Sequence, residues 1–358
     1  MKITYLIGAG ASANAVPVVA GTDKGIKDII ELMKKDEYSF DDTDTLDNGE
    51  NTNEVINLLL SDLEWIRGKI VELKSVDNFA KITHSKLKYR RKELRYCYDD
   101  DLKRLKHAYA VYLTILQLNN EVDERYVKFF DRILDIGKSK ITPENIAIVS
   151  WNYDFQPVMA LSQLIGVDNP VAVSNELRLY SKNTRIIKNE NTGISERHFL
   201  IQINGTLCIN NEQNKFDDFR YFFRHFSQFN KNVLKHILCQ FSDLKNSKFD
   251  NSTLSFAWED DAHRVASGQK SIVNETVDRV KDTQILVIIG YSLPSYNREV
   301  DMKIIKGMEN LQKVYLQAED IDARFRSIRN CEKIDITVIH NYKDDFYIPN
   351  EYKTLTST

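Results

Sequence analysis

The sequence predicts an α/β protein: a Rossmann-like, mainly parallel open sheet with helices on both faces, carrying an α-helical insertion. Three observations lead there. Short apolar runs rich in β-branched and aromatic residues recur along the chain. Several of them are continuous rather than alternating, as expected for strands covered on both faces. Stretches of helical periodicity separate them, and such alternation favours parallel pairing.

The first run, "KITYLI", ends on Gly8 and reads as a buried strand, with a helix starting soon after Gly21. Residues 36–53 are acidic, polar and aperiodic, and read as a mobile, solvated linker. From position 53 the pattern is helical. Ile56, Leu59, Leu63, Ile66, Ile70 and Leu73 recur at alternating steps of three and four, which lines one helix face. Further apolar faces follow at Leu102, Leu105, Tyr109, Tyr112 and Leu116, then at Tyr126, Phe129, Phe130, Ile133 and Leu134. Residues 36–138 are therefore expected to form the insertion, an acidic loop plus a helical bundle, and residues 1–35 and 139–358 the sheet domain. Strands return with "ENIAIVSWNYD", "HFLIQINGT", "NSTLSFAW", "TQILVIIGYS", "KVYLQA" and "DITVIH". The Phe-rich "FDDFRYFFRHFSQF" reads as core or as a lid.

Composition narrows the functional classes. A net charge of −3 over 358 residues gives no global attraction to nucleic acid or to an anionic membrane. One basic run with interleaved tyrosines, "KLKYRRKELRY", gives weak support to nucleic-acid contact, and "CYDDD" beside it offsets its charge. Cys97, Cys208, Cys239 and Cys331 are too far apart for a structural zinc site, so no metal is expected. The N-terminal apolar run is too short for a secretory segment, and no stretch approaches a bilayer span. A cytoplasmic protein with no membrane partner is the expectation.

In an open parallel sheet, ligands bind outside the carboxyl ends of the strands. Four segments deliver polar or glycine residues to such ends. "YLIGAGASANAVP" supplies Gly8, Ala9, Gly10, Ser12 and Pro17, and its glycines would let backbone approach a pyrophosphate. "IVSWNYDFQ" supplies Asn152 and Asp154, "LIQINGTL" Asn204 and Gly205, and "LVIIGYSLPS" Gly290, Tyr291 and Ser292. Trp258 and Glu259 end another run at the same rim. Each segment is also ordinary turn chemistry, and a Gly-Ala-Gly turn also serves tight packing.

The order of these segments resembles the sirtuin-like family, in particular its bacterial branch of NAD-consuming antiphage defence proteins. That pattern has a "GAG.S" turn with a nearby proline, an Asn-x-Asp tripeptide after a strand, a His-Gly pair and a late "G.S" turn. The match covers residues 1–30, 141–210 and 250–345. The resemblance implies cleavage of NAD+ to nicotinamide and ADP-ribose, with Asn152, Asp154 and Asn204 as the catalytic group. It assigns cofactor binding to Gly8, Ala9, Gly10, Ser12, Pro17, Gly205, Gly290, Tyr291 and Ser292. A homo-oligomer controlled by a hexameric HerA-type ATPase is the implied assembly, and NAD depletion in an infected bacterium the implied outcome. The chain departs from the deacylases of that family: it lacks their four zinc cysteines, has "VVA" for Asp-Phe-Arg, and has Asn204 where the family has histidine.

The chemistry tolerates that last change. Nicotinamide leaves NAD+ as a neutral base, so no general acid is required, and general-base help is worth about a hundred- to ten-thousand-fold. His225 and His84 are alternative sources of a base. Two other functions stay open: a non-catalytic NAD- or ADP-ribose-binding scaffold or sensor, and a nucleotide glycosidase.

Overall fold

The computed structural model describes every residue except 90–91, 139, 182–197, 210–228, 247–251, 260–269, 342 and 353–358. His225 and most of the Phe-rich segment lie outside the described residues, as do the side chains of most of the basic run. The chain divides into two compact units. The first comprises Met1–Ala13, Asp123–Thr206 and Phe256–Thr358, and the second Asn14–Val122 and Leu207–Ser255.

Nine strands are described: β1 (Ile3–Ile7), β2 (Ile146–Ser150), β3 (Leu179–Ser181), β4 (Leu200–Gln202), β5 (Gly205–Ile209), β6 (Ser252–Leu254), β7 (Ile285–Ile289), β8 (Lys313–Gln317) and β9 (Asp335–Val338). The first unit is built on a seven-stranded sheet ordered β3-β4-β2-β1-β7-β8-β9, in which every pairing is parallel. This is the Rossmann-like α/β architecture expected. Strand order reverses at β1, which makes the β1–β7 boundary the topological switch point. Register brings the carboxyl ends level: Ile7 lies opposite Ser150 and Ile289, Ser150 opposite Gln202, and Ile289 opposite Gln317.

Both faces of the sheet are covered, which explains the unbroken apolar runs. Leu6, Val149, Leu286, Ile288 and Val314 pack in one core with Ile272, Val300, Ile304 and Phe325 from the helices Ile272–Val280, Arg298–Lys306 and Asp322–Ile328. On the opposite face the Tyr5 ring meets Phe129 of the helix Glu124–Ile133 edge to face, centroids 4.8 Å apart. Local capping sets the helix starts. Asp123 accepts from the Arg125 amide and Ser271 from the Asn274 amide.

The second unit is helical. The helices Thr22–Met33, Thr52–Leu73, Val76–Tyr89, Lys92–Asn119 and Lys231–Asn246 make it up, with the two-stranded β5-β6 sheet beside them. Ile56, Leu59, Leu63, Ile66 and Ile70 are buried, as their spacing predicts. Buried Asp62 accepts from Arg104 at 2.5 Å and Lys245 at 2.9 Å, tying three helices together.

This division differs from the boundaries expected at 35 and 138. Residues 14–35 fall in the helical unit, and so does Lys231–Asn246, whose apolar face is buried. The helix Glu124–Ile133 falls with the sheet, because Phe129 packs on β1. The acidic stretch is likewise corrected: it is a folded loop, with Tyr38 and Leu46 buried and a bridge between Thr45 and Asn51. Its polar residues have specific partners. Asn51 caps Thr52–Leu73, Asp44 pairs with Lys235, and Asn48 donates to Ser242 and Asp243. "NSTLSFAW" contributes β6, which lies outside the parallel sheet.

Candidate functional site

At the switch point the two glycine turns close on each other. The Gly8 amide donates to the Ile289 carbonyl at 3.0 Å and the Gly10 amide to the Gly290 carbonyl at 2.8 Å, which extends the β1–β7 ladder past the strand ends. A side chain at Gly8 would come within 2.6 Å of the Tyr291 Cα and ring, and one at Gly10 within 2.8 Å of the Gly290 Cα. Gly290 adopts φ of +59° and faces Gly10 and the Ala11 amide. The glycines therefore serve close backbone packing. The amides of Gly8, Gly10 and Ala11 all serve backbone carbonyls. The turn runs into a single 3-10 turn, Ala9–Ser12, and the first α-helix begins only at Thr22. Ala9 remains exposed at the rim.

Beneath the rim lies a buried polar knot centred on Ser12. Its oxygen accepts from the Asn152 side-chain amide at 3.0 Å and stands 3.2 Å from the Tyr126 hydroxyl. Its hydroxyl serves the Asp154 carboxylate, which also accepts from the Gln156 amide at 3.1 Å. With two acceptor contacts and one donor contact, Ser12 is saturated. Burial, opposed by the Ser12 bond and aggravated by the neighbouring Asp123 charge, pushes the Asp154 carboxyl up to about 6. Burial and the Asp154 charge likewise raise Tyr126. Arg125 completes the layer. It grips Asp123 through Nε at 2.9 Å and Nη2 at 2.6 Å, and Nη2 also donates to the Ala11 carbonyl at 3.1 Å.

The tip of β4 is clamped to the tip of β2. Gln202 donates to the Asp154 carbonyl at 2.8 Å. Asn204 donates to the Trp151 carbonyl at 2.8 Å and accepts from the Ala257 amide at 2.9 Å. Both ends of the Asn204 amide thus bond to backbone. Gly205 follows at φ of +74°. Two buried polar atoms in this layer have no hydrogen-bond partner among the described residues, the Trp151 indole N–H and the Gln202 Oε1.

Aromatic side chains pack across the strand tips. Trp151 stacks on Tyr291, centroids 5.4 Å apart and planes 18° apart, bridging the tips of β2 and β7 over Gly8. The Tyr291 hydroxyl lies 3.0 Å from both Asp301 carboxylate oxygens and accepts from the Asn297 amide at 3.1 Å. Half-buried Tyr153 meets Phe256 edge to face, and Phe256 stacks on half-buried Trp258 at 4.8 Å.

The structure thus brings Gly8, Gly10, Ser12, Asn152, Asp154, Asn204, Gly290 and Tyr291 into one connected group. Ser292 is exposed and presents its carbonyl to Arg324 at 2.8 Å. Pro17 belongs to the helical unit, where its ring packs on Gly21 and Gly25. Sequence reasoning missed Asp123, Arg125, Tyr126, Gln202, Asn297 and Asp301. Asp301 and Arg125 sit in helical stretches where charge reads as solvated face, so only burial reveals them. Among the described residues no three His, Cys, Asp or Glu side chains gather as metal ligands would, and no helix is long and apolar enough to cross a membrane. No family model and no curated protein matches the chain.

Proposed function

We propose that the protein is an NAD+ glycohydrolase of the sirtuin-like type, cleaving NAD+ to nicotinamide and ADP-ribose in antiphage defence. The observation that carries this reading is the convergence of four strand tips, β1, β2, β4 and β7, into one bonded and stacked group at the switch point of a parallel sheet. Water adds to C1′ of the nicotinamide ribose as the C–N bond breaks. The departing ring keeps the bond's electron pair, and the water's proton passes to solvent or a nearby base. The Asn152 amide, oriented through Ser12, leaves its Oδ1 out of that bond and is the group suited to direct water or ribose hydroxyls. Asp154 holds Ser12 and the loop. The aromatic tips, Tyr153 and Trp258 among them, offer stacking surfaces for the base rings. Assembly as a homo-oligomer under a HerA-type ATPase belongs to the same proposal, and so does a cytoplasmic location.

A second reading rests on Asn204. It stands where the family has histidine, cannot take a proton near neutral pH, and bonds to backbone through both its nitrogen and its oxygen, which favours a scaffold that binds NAD or ADP-ribose without turnover. The deciding experiment follows nicotinamide release by the full chain, with and without partner ATPase and DNA, alongside Asn152→Ala. Release that falls at least tenfold in the variant supports the hydrolase. Binding without release in every condition supports the scaffold, and preferential cleavage of free nucleosides supports a nucleoside glycosidase.

A further inference from the structure

Asp301 lies in the helix Arg298–Lys306, one layer behind the rim, and is 1% exposed. The catalytic proposal gives it no role. Its carboxylate nonetheless spans the Tyr291 hydroxyl with both oxygens at 3.0 Å, and Asn297 donates to that same hydroxyl at 3.1 Å. Tyr291 is held at every edge. Its hydroxyl is fixed by Asp301 and Asn297, its ring face by Trp151, and its Cα and ring edge by Gly8. A phenol this constrained passes any change at the carboxylate directly to the indole stacked on it.

We infer that Asp301 is a positioning residue for the candidate site: through the Tyr291 hydroxyl it holds the Tyr291–Trp151 stack over Gly8 and so keeps the tips of β2 and β7 together. Its bearing on turnover rests on the glycohydrolase reading, while its hold on the stack does not.

The surroundings make this contact sensitive to charge. Burial pushes the Asp301 carboxyl up to about 8, against the lowering effects of the Tyr291 hydrogen bond and the Arg298 charge. The helices packed against it, Ile272–Val280 and Asp322–Ile328, bury Ile272, Val273, Thr276 and Val280, and Phe325 and Ile328. Their charged residues, Glu275, Asp278, Arg279, Asp322, Arg324 and Arg326, are half-buried or exposed. Tyr296, next to Asn297, adds to the rise of the Tyr291 phenol. Ionisation of Asp301 turns its bond with Tyr291 into a charge-assisted one, which shortens and strengthens such contacts.

The test uses the full chain with Trp65→Phe and Trp258→Phe, which leaves Trp151 as the lone indole. Its emission is followed from pH 6 to 10 in that background and with Asp301→Asn or Tyr291→Phe added. A transition near 8 that vanishes in Asp301→Asn and loses amplitude in Tyr291→Phe is expected. A transition unchanged in Asp301→Asn overturns the inference. If Asp301→Asn fails to fold by far-ultraviolet circular dichroism, Tyr291→Phe decides: reduced amplitude supports the inference and full amplitude overturns it. In turnover, Asp301→Asn is expected to raise KM several-fold with little change in kcat and to remove the pH-profile limb near 8. Absence of nicotinamide release from the wild-type protein defeats the hydrolase proposal alone, because the emission titration still decides on Asp301.

Discussion

The Asn152 side-chain amide donates to the Ser12 hydroxyl at 3.0 Å, joining the tip of β2 to the turn after β1 across 140 positions of chain. Ser12 also meets Tyr126 and Asp154, so one hydroxyl serves three elements of the first unit. Ser12→Ala would leave the Asn152 amide, the Tyr126 hydroxyl and the Asp154 carboxylate each short of a partner. The expected loss is about 1–3 kcal/mol in urea denaturation. The Asp154 carboxyl, freed of a bond that lowers it, should titrate above about 6 in a carbon-13 NMR experiment. Unchanged stability would mean that the knot contributes nothing to folding.

Glycine substitutions separate packing from flexibility. Gly290→Ala places a methyl group against Gly10 and the Ala11 amide at a positive φ, and Gly8→Ala drives one to within 2.6 Å of the Tyr291 ring. Each should cost about 2–4 kcal/mol. Gly68 is the control: it lies exposed inside the helix Thr52–Leu73 with open space around it, so Gly68→Ala should stabilise by about 0.5–1 kcal/mol. Thermal melts of the three variants check the ranking, and equal effects would contradict it.

Asn204 is expected to behave as a clamp. Asn204→Ala leaves the Trp151 carbonyl and the Ala257 amide unmet in a buried layer and should cost about 2–3 kcal/mol. Asn204→His, which introduces the histidine of the sirtuin-like pattern, should destabilise by a similar amount, since an imidazole cannot reproduce both amide bonds in that geometry. Urea denaturation gives the cost, and nicotinamide release shows whether a base at this position does anything for turnover. A stable Asn204→His protein with faster release would overturn the clamp assignment.

The strands were legible because burial on both faces leaves continuous apolar runs, as in "ILVII" of β7. Asn152, Asp154 and Gly290 were legible as strand-end residues. What those residues do was less so. The Gly8–Tyr291 and Gly10–Gly290 contacts join positions about 280 apart, and nothing in a Gly-Ala-Gly turn distinguishes a neighbouring backbone from a phosphate. Asp301 was hidden for a related reason: "REVDMKIIK" carries charge on most of its surface, and only the fold selects the one carboxylate that turns inward. Residues 36–53 were misread because acidic composition says nothing about a partner such as Lys235 nearly two hundred positions away.

Stability should fall as pH rises from 4 to 8. Asp154 and Asp301 hold their protons to about 6 and about 8, whereas an unfolded aspartate releases its proton near 3.9. In that window the folded protein binds more protons than the unfolded chain, so the stabilising contribution is complete below about 4 and is lost as pH passes each folded value. Asp44 and Glu351, whose carboxyls sit below the ordinary range, act in the opposite sense and only in acid, where their contribution disappears on protonation. The net expectation is a loss of about 4 kcal/mol between pH 5.5 and 8.5, or roughly 5 °C in Tm. Asp301→Asn removes the titrating group from the upper half of the window, so its profile should flatten between pH 7 and 8.5 while the Asp154 step near 6 persists. Urea midpoints measured at half-unit intervals resolve the two steps. A midpoint that climbs through pH 6–8 would show both carboxyls ionised in the folded protein.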